Sequence, residues 1–459
     1  MGATKEIAGF CHKLGYQGFS SEVVERVKYL ALDFLGVVAR GSREKSSRVV
    51  RDFITDVDSA AGGCVVIASD LRASAHYAAL ANGAAAHSLE LDDVSNESSS
   101  HPGVVVFPVA LAVAELVGCD GRRLIEAVVA GYEVMIRLGK ALNPASHYAR
   151  GFHPTGTCGA FGATAAAAKI LGLSQGEIVN ALGIAGSQAA GSMEFLTDGS
   201  WVKQLHPGWA AHSGIIAALL ARRGFSGPAT ILEGRSGFLH AYSDNSDPDK
   251  LVVGLGDSFE VMKVSVKPHA CCRYKQGPID GILRIMKENG LGAPDVAEVK
   301  LGILKAGFPI VVEPQEAKYS PRTVVAAQFS MPFGAALAIL YGRASLDEYT
   351  EANLKSPEVR EMMKRVSCVL DADLDRVYPK QWPASVEIVI RDGRRFSTKV
   401  NYPRGDPENP LSWEEVIQKF EGLTAPVFSR EDRAEIISRV RSLETEAGLA
   451  SLSSLLSVS

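Results

Sequence analysis

The sequence carries none of the short motifs that mark the commonest cofactor chemistries. No GxGxxG follows a strand pattern, and GxxxxGK[ST], HExxH and GxSxG do not occur. Cysteine is scarce and scattered: the seven residues form no CxxC pair. The one close pair, Cys271-Cys272, offers too few thiolates to hold an iron–sulfur cluster. With no disulfide framework either, a reducing, cytoplasmic compartment is expected. Charge of one sign is lacking too. Lys and Arg number 48 against 52 Asp and Glu, a net charge of -4 without a basic run, so no nucleic-acid partner is expected. The longest apolar stretch, near residues 157–173, is interrupted by Lys169 and rich in Ala and Gly. That composition predicts a packed helix and no membrane partner. The opening MGATKEIAGFCHKLG has no signal-peptide pattern, and Glu6 stands where a myristoylation signal needs Ser or Thr.

What is present is a chain of 459 residues, 46% apolar and 22% charged, long enough for more than one domain with a sizeable core. From residue 1 to about 260 the apolar periodicity is helical, as in SSEVVERVKYLALDFLGVVARG, SQGEIVNALGIAGSQAAG and WAAHSGIIAALLARRG. Alanine and glycine are dense there, so helix axes can approach closely. Beyond residue 260 the period changes to two. AEVKLGIL at 297–304 and SVEIVIRDGRRFSTKV at 385–400 alternate, and Asp392-Gly393 signals a hairpin. Helical pieces, AAQFSMPFGAALAILYG and SPEVREMMKRVS, lie between them, and two more follow from Trp413 and Arg430. The fold class expected is mainly α with an α+β second domain. Residues 1–264 and 405–459 would form the helical domain and residues 265–404 the α+β one.

Four polar stretches stand out against this apolar background. HSLELDDVSNESSSHPG, residues 87–103, places Glu90, Asp92, Asp93 and His101 between two segments that want burial. Two readings stand: a solvated connection, or the lining of a cleft in which burial tunes acids and imidazole for proton transfer. At a helix end, Glu90 and Asp93 would share a face. In ARGFHPTGTCGAFG, His153-Pro154 precedes a helix, where His153 could be only an N-cap. Gly156, Gly159 and Gly162 then read as close-packing positions. In GSWVKQLHPGWAAHSG, Lys203 and His206 stand ahead of a further helix. VSVKPHACCRYKQGPID supplies Lys267, His269, Arg273 and Lys275; Arg273 suits a bidentate hold on a carboxylate, whereas Lys275 reads as a surface residue. A metal is not expected, since His206 and His212, six apart, do not share a helix face. The inventory suits removal of a proton next to a carboxylate and stabilisation of the anion.

In order along the chain, HSLELDD…HPG, GYEVMIRLG, GFHPTGTCGAFGATAAAAKILGL, ALGIAGSQAAG, VKQLHPGWAAHSG, VKPHACCRYKQGPID, AQFSMPF and GDPENPLS resemble the MmgE/PrpD family. That family includes 2-methylcitrate dehydratase, cis-aconitate decarboxylase and iminodisuccinate epimerase. The resemblance implies a large helical domain built from both chain ends, a smaller α+β lid, a homodimer, and a small di- or tricarboxylate substrate with no cofactor. It implies catalytic roles for His101, His153, Lys203 and Lys267, and puts the family's acidic pattern at Glu90, with Asp92 and Asp93 following, and its tyrosine at Tyr319. Beside these, Asp93 is read as catalytic, and Glu90, Arg273 and Tyr319 as substrate-binding. Where the family's dehydratase and decarboxylase branch has threonine, this chain has Val94. The expected activity is that of a lyase or isomerase, with a 2-methylcitrate dehydratase-like hydro-lyase favoured over an epimerase or a decarboxylase. A metal-dependent enzyme and a non-catalytic carboxylate-binding protein are the rivals.

Overall fold

Small residues decide how the helices meet. In the computed structural model, which describes residues 2–58 and 63–458, helix Ala75–Ala86 crosses helix Val202–Arg222 at paired glycines. A Cβ on Gly83 would sit 2.7 Å from the Cα of Gly208, and one on Gly208 would sit 2.3 Å from the carbonyl oxygen of Leu80. Helices Gly121–Leu142 and Pro154–Ile170 touch in the same way through Gly131 and Gly162. All 17 residues of Pro154–Ile170 are buried. Backbones this close exclude water by contact rather than by bulky side chains. The GxxGxxG spacing that opens this helix is therefore a packing device: a Cβ on Gly159 would lie 3.1 Å from the Cβ of Ala210.

The chain divides into two units, each described by itself. The larger comprises residues 1–88, 92–264 and 412–459. Its helix Ser21–Gly41 matches the expected segment and packs against Trp413–Thr424, where Gly36 lets the Phe420 backbone approach. Helix Gln175–Gly186 starts at a capping box, Ser174 with Glu177. Helix Val202–Arg222 begins earlier than its apolar pattern suggests, because Lys203, Gln204 and His206 already belong to its first turns.

The smaller unit comprises residues 89–91 and 265–411. Its four-stranded mixed sheet runs Val366–Leu370, Val296–Ile303, Ala384–Ile390, Arg395–Val400. The last two strands form the expected hairpin, pairing Ala384 with Val400 and Val389 with Arg395, and Gly393 turns the chain at φ 89°. Helix Gln276–Glu288 covers one face, with Gly281 against Val386. The sequence pattern runs the helix SPEVREMMKRVS too far. It stops at Met363, and Val366–Leu370 is a strand parallel to Val296–Ile303. Its β-branched residues fit a pleated surface, and that preference overrides the weak helical period. The chain is thus mainly helical with one small mixed sheet, and no helix among the described residues is long and apolar enough to cross a membrane.

Gly208→Ala is expected to lower unfolding stability by about 1–3 kcal/mol, the range for overpacking a close contact. Gly176→Ala, where a Cβ meets nothing within 4 Å, should be neutral or stabilising by up to about 1 kcal/mol. Urea melts of the two variants check the contrast, and equal effects would contradict backbone-limited packing.

Candidate active site

The polar stretch at residues 87–103 is not a solvated connection. His87, Glu90, Asp92, Asp93, Ser95, Ser98 and Ser100 are all buried. It forms no helix, so Glu90 and Asp93 do not share a helical face. Glu90 adopts a left-handed backbone, φ 55°, and residues 89–91 belong to the smaller unit. Asp93 stays in the larger one.

Within the larger unit, the Asp93 side chain holds the scaffold. Its Oδ1 accepts from the N–H of Gly103 at 2.9 Å, satisfying an orphan donor at the start of helix Gly103–Val117, and its Oδ2 accepts from the Tyr132 hydroxyl at 2.6 Å. A Cβ on Gly103 would come within 2.8 Å of that carboxylate, so the contact needs glycine. Burial pushes the Asp93 carboxyl up to about 7, against the two hydrogen bonds that pull it down. What Asp93 offers His101 is its backbone: the carbonyl lies 2.8 Å from Nδ1 of His101.

Asp92 does the rest. Its Oδ2 lies 2.8 Å from His101 Nδ1 and 2.9 Å from His87 Nδ1. Two oxygens therefore converge on His101 Nδ1, which carries the hydrogen and leaves the lone pair on Nε2. The same reasoning applies to His87. Its Nε2 is buried with no hydrogen-bond partner among the described residues. Burial pushes the His87 imidazole down to about 3, although Asp92 pulls the other way.

His87, Asp92 and His101 bring ligand atoms within 4.8 Å of one another, the only such group of three among the described residues. The donor set fits protons rather than a cation. A metal on His101 Nδ1 would need a lone pair where the Asp93 carbonyl oxygen already faces the ring.

His153 occupies the N-cap of Pro154–Ile170, with proline at the first helical position, yet its side chain makes no capping bond. Instead its Nδ1 meets Nδ1 of His206 at 3.0 Å, and its backbone N–H donates to Gly191 at 2.9 Å. Burial holds His153 well below the usual imidazole range, with His87 and His206 adding to the effect. Burial and the nearby Lys203 push His206 down to about 4. His87 stacks on His153 with centroids 5.8 Å apart and meets His101 edge-on at 5.0 Å. Four imidazoles thus run in contact, in the order 101, 87, 153, 206. Phe195 lies edge-on to the last two.

In the smaller unit, Lys267 is buried and its Nζ donates to the carbonyl of Glu90 at 3.3 Å. Arg273 is ion-paired with buried Asp406, which also accepts from Ser265. Tyr319 ends the short helix Gln315–Tyr319, and its hydroxyl donates to Val366 at 2.5 Å. Lys275, expected at the surface, is fully buried; its ammonium donates to the carbonyls of Ala327 and Gln328 and to Tyr349. Those three acceptors, two of them exposed by the helix break at residues 329–330, satisfy its charge, and burial lowers the amine to about 8.

The larger unit therefore brings together His101, His153, Lys203 and Asp93, and Glu90, Lys267, Arg273 and Tyr319 lie in the smaller one. Sequence reasoning missed His87 and the bridging role of Asp92, and set His206 ahead of its helix. One signal was available for His206, which makes a third His-Pro dipeptide after those at 101 and 153.

A mainly helical protein with an imidazole–carboxylate cluster of this kind belongs with enzymes that move protons. The MmgE/PrpD N-terminal domain matches residues 5–251 and the MmgE/PrpD C-terminal domain residues 269–445. The chain belongs to the MmgE/PrpD family and is an enzyme of its lyase type. It is 27% identical to the cis-aconitate decarboxylase-like protein oryM of Aspergillus oryzae, over 99% of this chain and 97% of that one. It is also 27% identical to cis-aconitate decarboxylase of Aspergillus terreus, over 99% and 96%. Against the Homo sapiens cis-aconitate decarboxylase the identity is 28%, over 99% and 94%.

The depressed histidines give stability a pH dependence. His87 sits at about 3, and His147, His206 and His212 at about 4, while an unfolded histidine titrates near 6.5. Below about 6.5 the unfolded chain binds more protons, so stability is lost as pH falls toward 4. Asp93, raised to about 7 from 3.8, has the opposite sign over its own window, as do the raised carboxyls of Asp33, Glu44, Glu115 and Glu133, while lowered His76 and His153 add to the four histidines. The melting temperature should therefore drop between pH 7.5 and 5.5 at constant ionic strength. A flat profile would mean that these rings are not held neutral.

Proposed function

We propose that this chain is a cofactor-independent lyase of small di- or tricarboxylic acids, with proton transfer at the carbon next to a carboxylate carried by His101 and His153. The observation that supports it is the line of imidazoles with Asp92 bridging its first two members. His101 is the base: Asp92 and the Asp93 carbonyl fix the hydrogen on Nδ1, so Nε2 takes the proton. His153, neutral and buried, is its partner. Lys203, whose charge acts on His87 and His206, is the cation assigned to a substrate carboxylate. In the smaller unit, carboxylate binding falls to Lys267 in this proposal. Arg273 is already neutralised by Asp406.

The preference for a 2-methylcitrate dehydratase-like reaction finds no support among the relatives described above, whose names are those of cis-aconitate decarboxylases. Decarboxylation of an unsaturated tricarboxylate is accordingly the first reaction proposed. The bond to one carboxylate breaks, carbon dioxide leaves, the electron pair left on carbon takes the Nε2 proton of His153, and His101 Nε2 takes from water the proton that replaces it. The chemistry differs from dehydration in what departs, not in the need for a proton carrier beside a stabilised carbanion. Val94 is buried and brings no hydroxyl, so neither reaction can draw on one at that position.

The homodimer implied by the family resemblance is part of the proposal. Trp201 and, on the helix it precedes, Val202 and Trp209, together with Val49, Phe53 and Val57 on helix Lys45–Val57, are large apolar side chains left exposed. Tyr77 and His212 link Phe53 to Trp209 by ring contacts. A continuous apolar face of this kind suits a second subunit. Sedimentation should report a dimer, and Trp209→Glu should shift it toward monomer; a monomeric parent protein would remove this part of the proposal.

The reaction is tested by incubating the protein with cis-aconitate, 2-methylcitrate and other polycarboxylates in D2O and following products by NMR. Carbon dioxide release with one deuterium entering the product is expected. His101→Asn should lower kcat at least about 100-fold, the usual contribution of a general acid or base, with little change in melting temperature. Absence of turnover and exchange with every acid tried, or an undiminished variant, would overturn the reading.

A further inference from the structure

Two imidazoles that face each other through Nδ1 atoms 3.0 Å apart can hold only one proton between them. When both rings are neutral they must be opposite tautomers: one carries Nδ1–H and a bare Nε2, the other a bare Nδ1 and Nε2–H. The state of His206 therefore dictates which nitrogen of His153 is available for chemistry. We infer that His206 is a positioning residue whose Nδ1–H donates to Nδ1 of His153, so that His153 presents Nε2–H and works as the acid opposite His101. This rests on the proposed pairing of His101 and His153 as proton carriers.

Two features set that direction. His101 has its Nδ1 between two acceptors and is therefore the ring with a basic Nε2; a base and an acid need complementary tautomers, which leaves Nε2–H for His153. On the other side, Lys203 stands one turn before His206 on the same helix and its charge acts on that ring. With Nδ1 occupied by His153, the nitrogen left to answer an ammonium, which has donors only, is Nε2. A lone pair there places the hydrogen on Nδ1.

The surroundings hold the pair in register. Phe195 lies edge-on to both rings, at 6.1 and 6.0 Å. A Cβ on Gly156 would come within 3.3 Å of the His206 Cβ and 2.4 Å of the Ala190 carbonyl, so glycine at the start of the Pro154 helix is what lets His206 reach His153. The charged and titratable groups acting on His153 are His87, His101, His206 and Asp92. On His206 the acting charge is Lys203. After His153 gives up its Nε2 proton, water restores it while His206 keeps its Nδ1–H, so the pair returns to the same tautomers for the next turnover.

Histidine-selective 15N labelling of the full-length protein reads the tautomers directly by long-range 1H–15N correlation at pH 7.5, independently of any substrate. His153 should be the Nε2–H form and His206 the Nδ1–H form; the reverse pattern overturns the inference. In kinetics, His206→Leu should lower kcat about 100-fold, as loss of a correctly protonated acid does, while KM changes less than about threefold. His206→Asn, whose amide N–H can replace the Nδ1–H donor, should recover activity to within about tenfold of the parent. Equal losses in both variants with an unchanged His153 tautomer would reduce His206 to a packing residue and sink the proposal. If the parent turns over no polycarboxylate, the functional reading fails, and the 15N spectra still decide the tautomers.

Discussion

One carboxylate oxygen, Asp92 Oδ2, stands within 2.9 Å of two imidazole nitrogens. The chemistry of the larger unit follows from that contact. Each Nδ1 so engaged donates its hydrogen bond to the shared oxygen, and each ring is left with a bare Nε2. The Asp93 carbonyl adds a second acceptor for His101 alone, which sets that ring apart from His87. The same two consecutive aspartates divide their labour. Asp92 orients rings, and Asp93, through Gly103 and Tyr132, fixes the helix start that brings His101 into place.

Such an arrangement works only where water is scarce. In water an imidazole titrates near 6.5 and hydrogen-bonds freely, so neither its charge nor its tautomer is fixed. Here glycine-lined helix crossings bring backbones into contact, and most of the polar side chains from His87 to Ser100 are buried. Desolvation keeps His87, His153 and His206 neutral. The alanine and glycine content of the helices is thus tied to the chemistry: looser packing would admit water, and with it protonation and tautomer exchange.

Much of the architecture was legible in the sequence. The switch from a helical period to strict alternation near residue 260 and the Asp392-Gly393 turn each have a local physical cause, and each appears where expected. The misreadings share a cause as well. Val366 and Ser367, the start of a strand, were read as the tail of a helix because their neighbour in the sheet, Val296–Ile303, is some seventy residues away in sequence. Lys275 was read as exposed because nothing beside it in sequence supplies the carbonyls of Ala327 and Gln328 that satisfy its charge.

The sequence by itself determined the family, the mainly helical character, and which stretches carry proton-moving side chains, because periodicity, capping and motif order are local properties of the chain. Only the tertiary structure decided that His87 lies between His101 and His153, that Asp92 serves two rings at once, and that His206 meets His153 nitrogen to nitrogen. Those relations join helices far apart in the chain. Which nitrogen carries a hydrogen depends on the acceptors that folding places beside it, and no spacing along the chain encodes them.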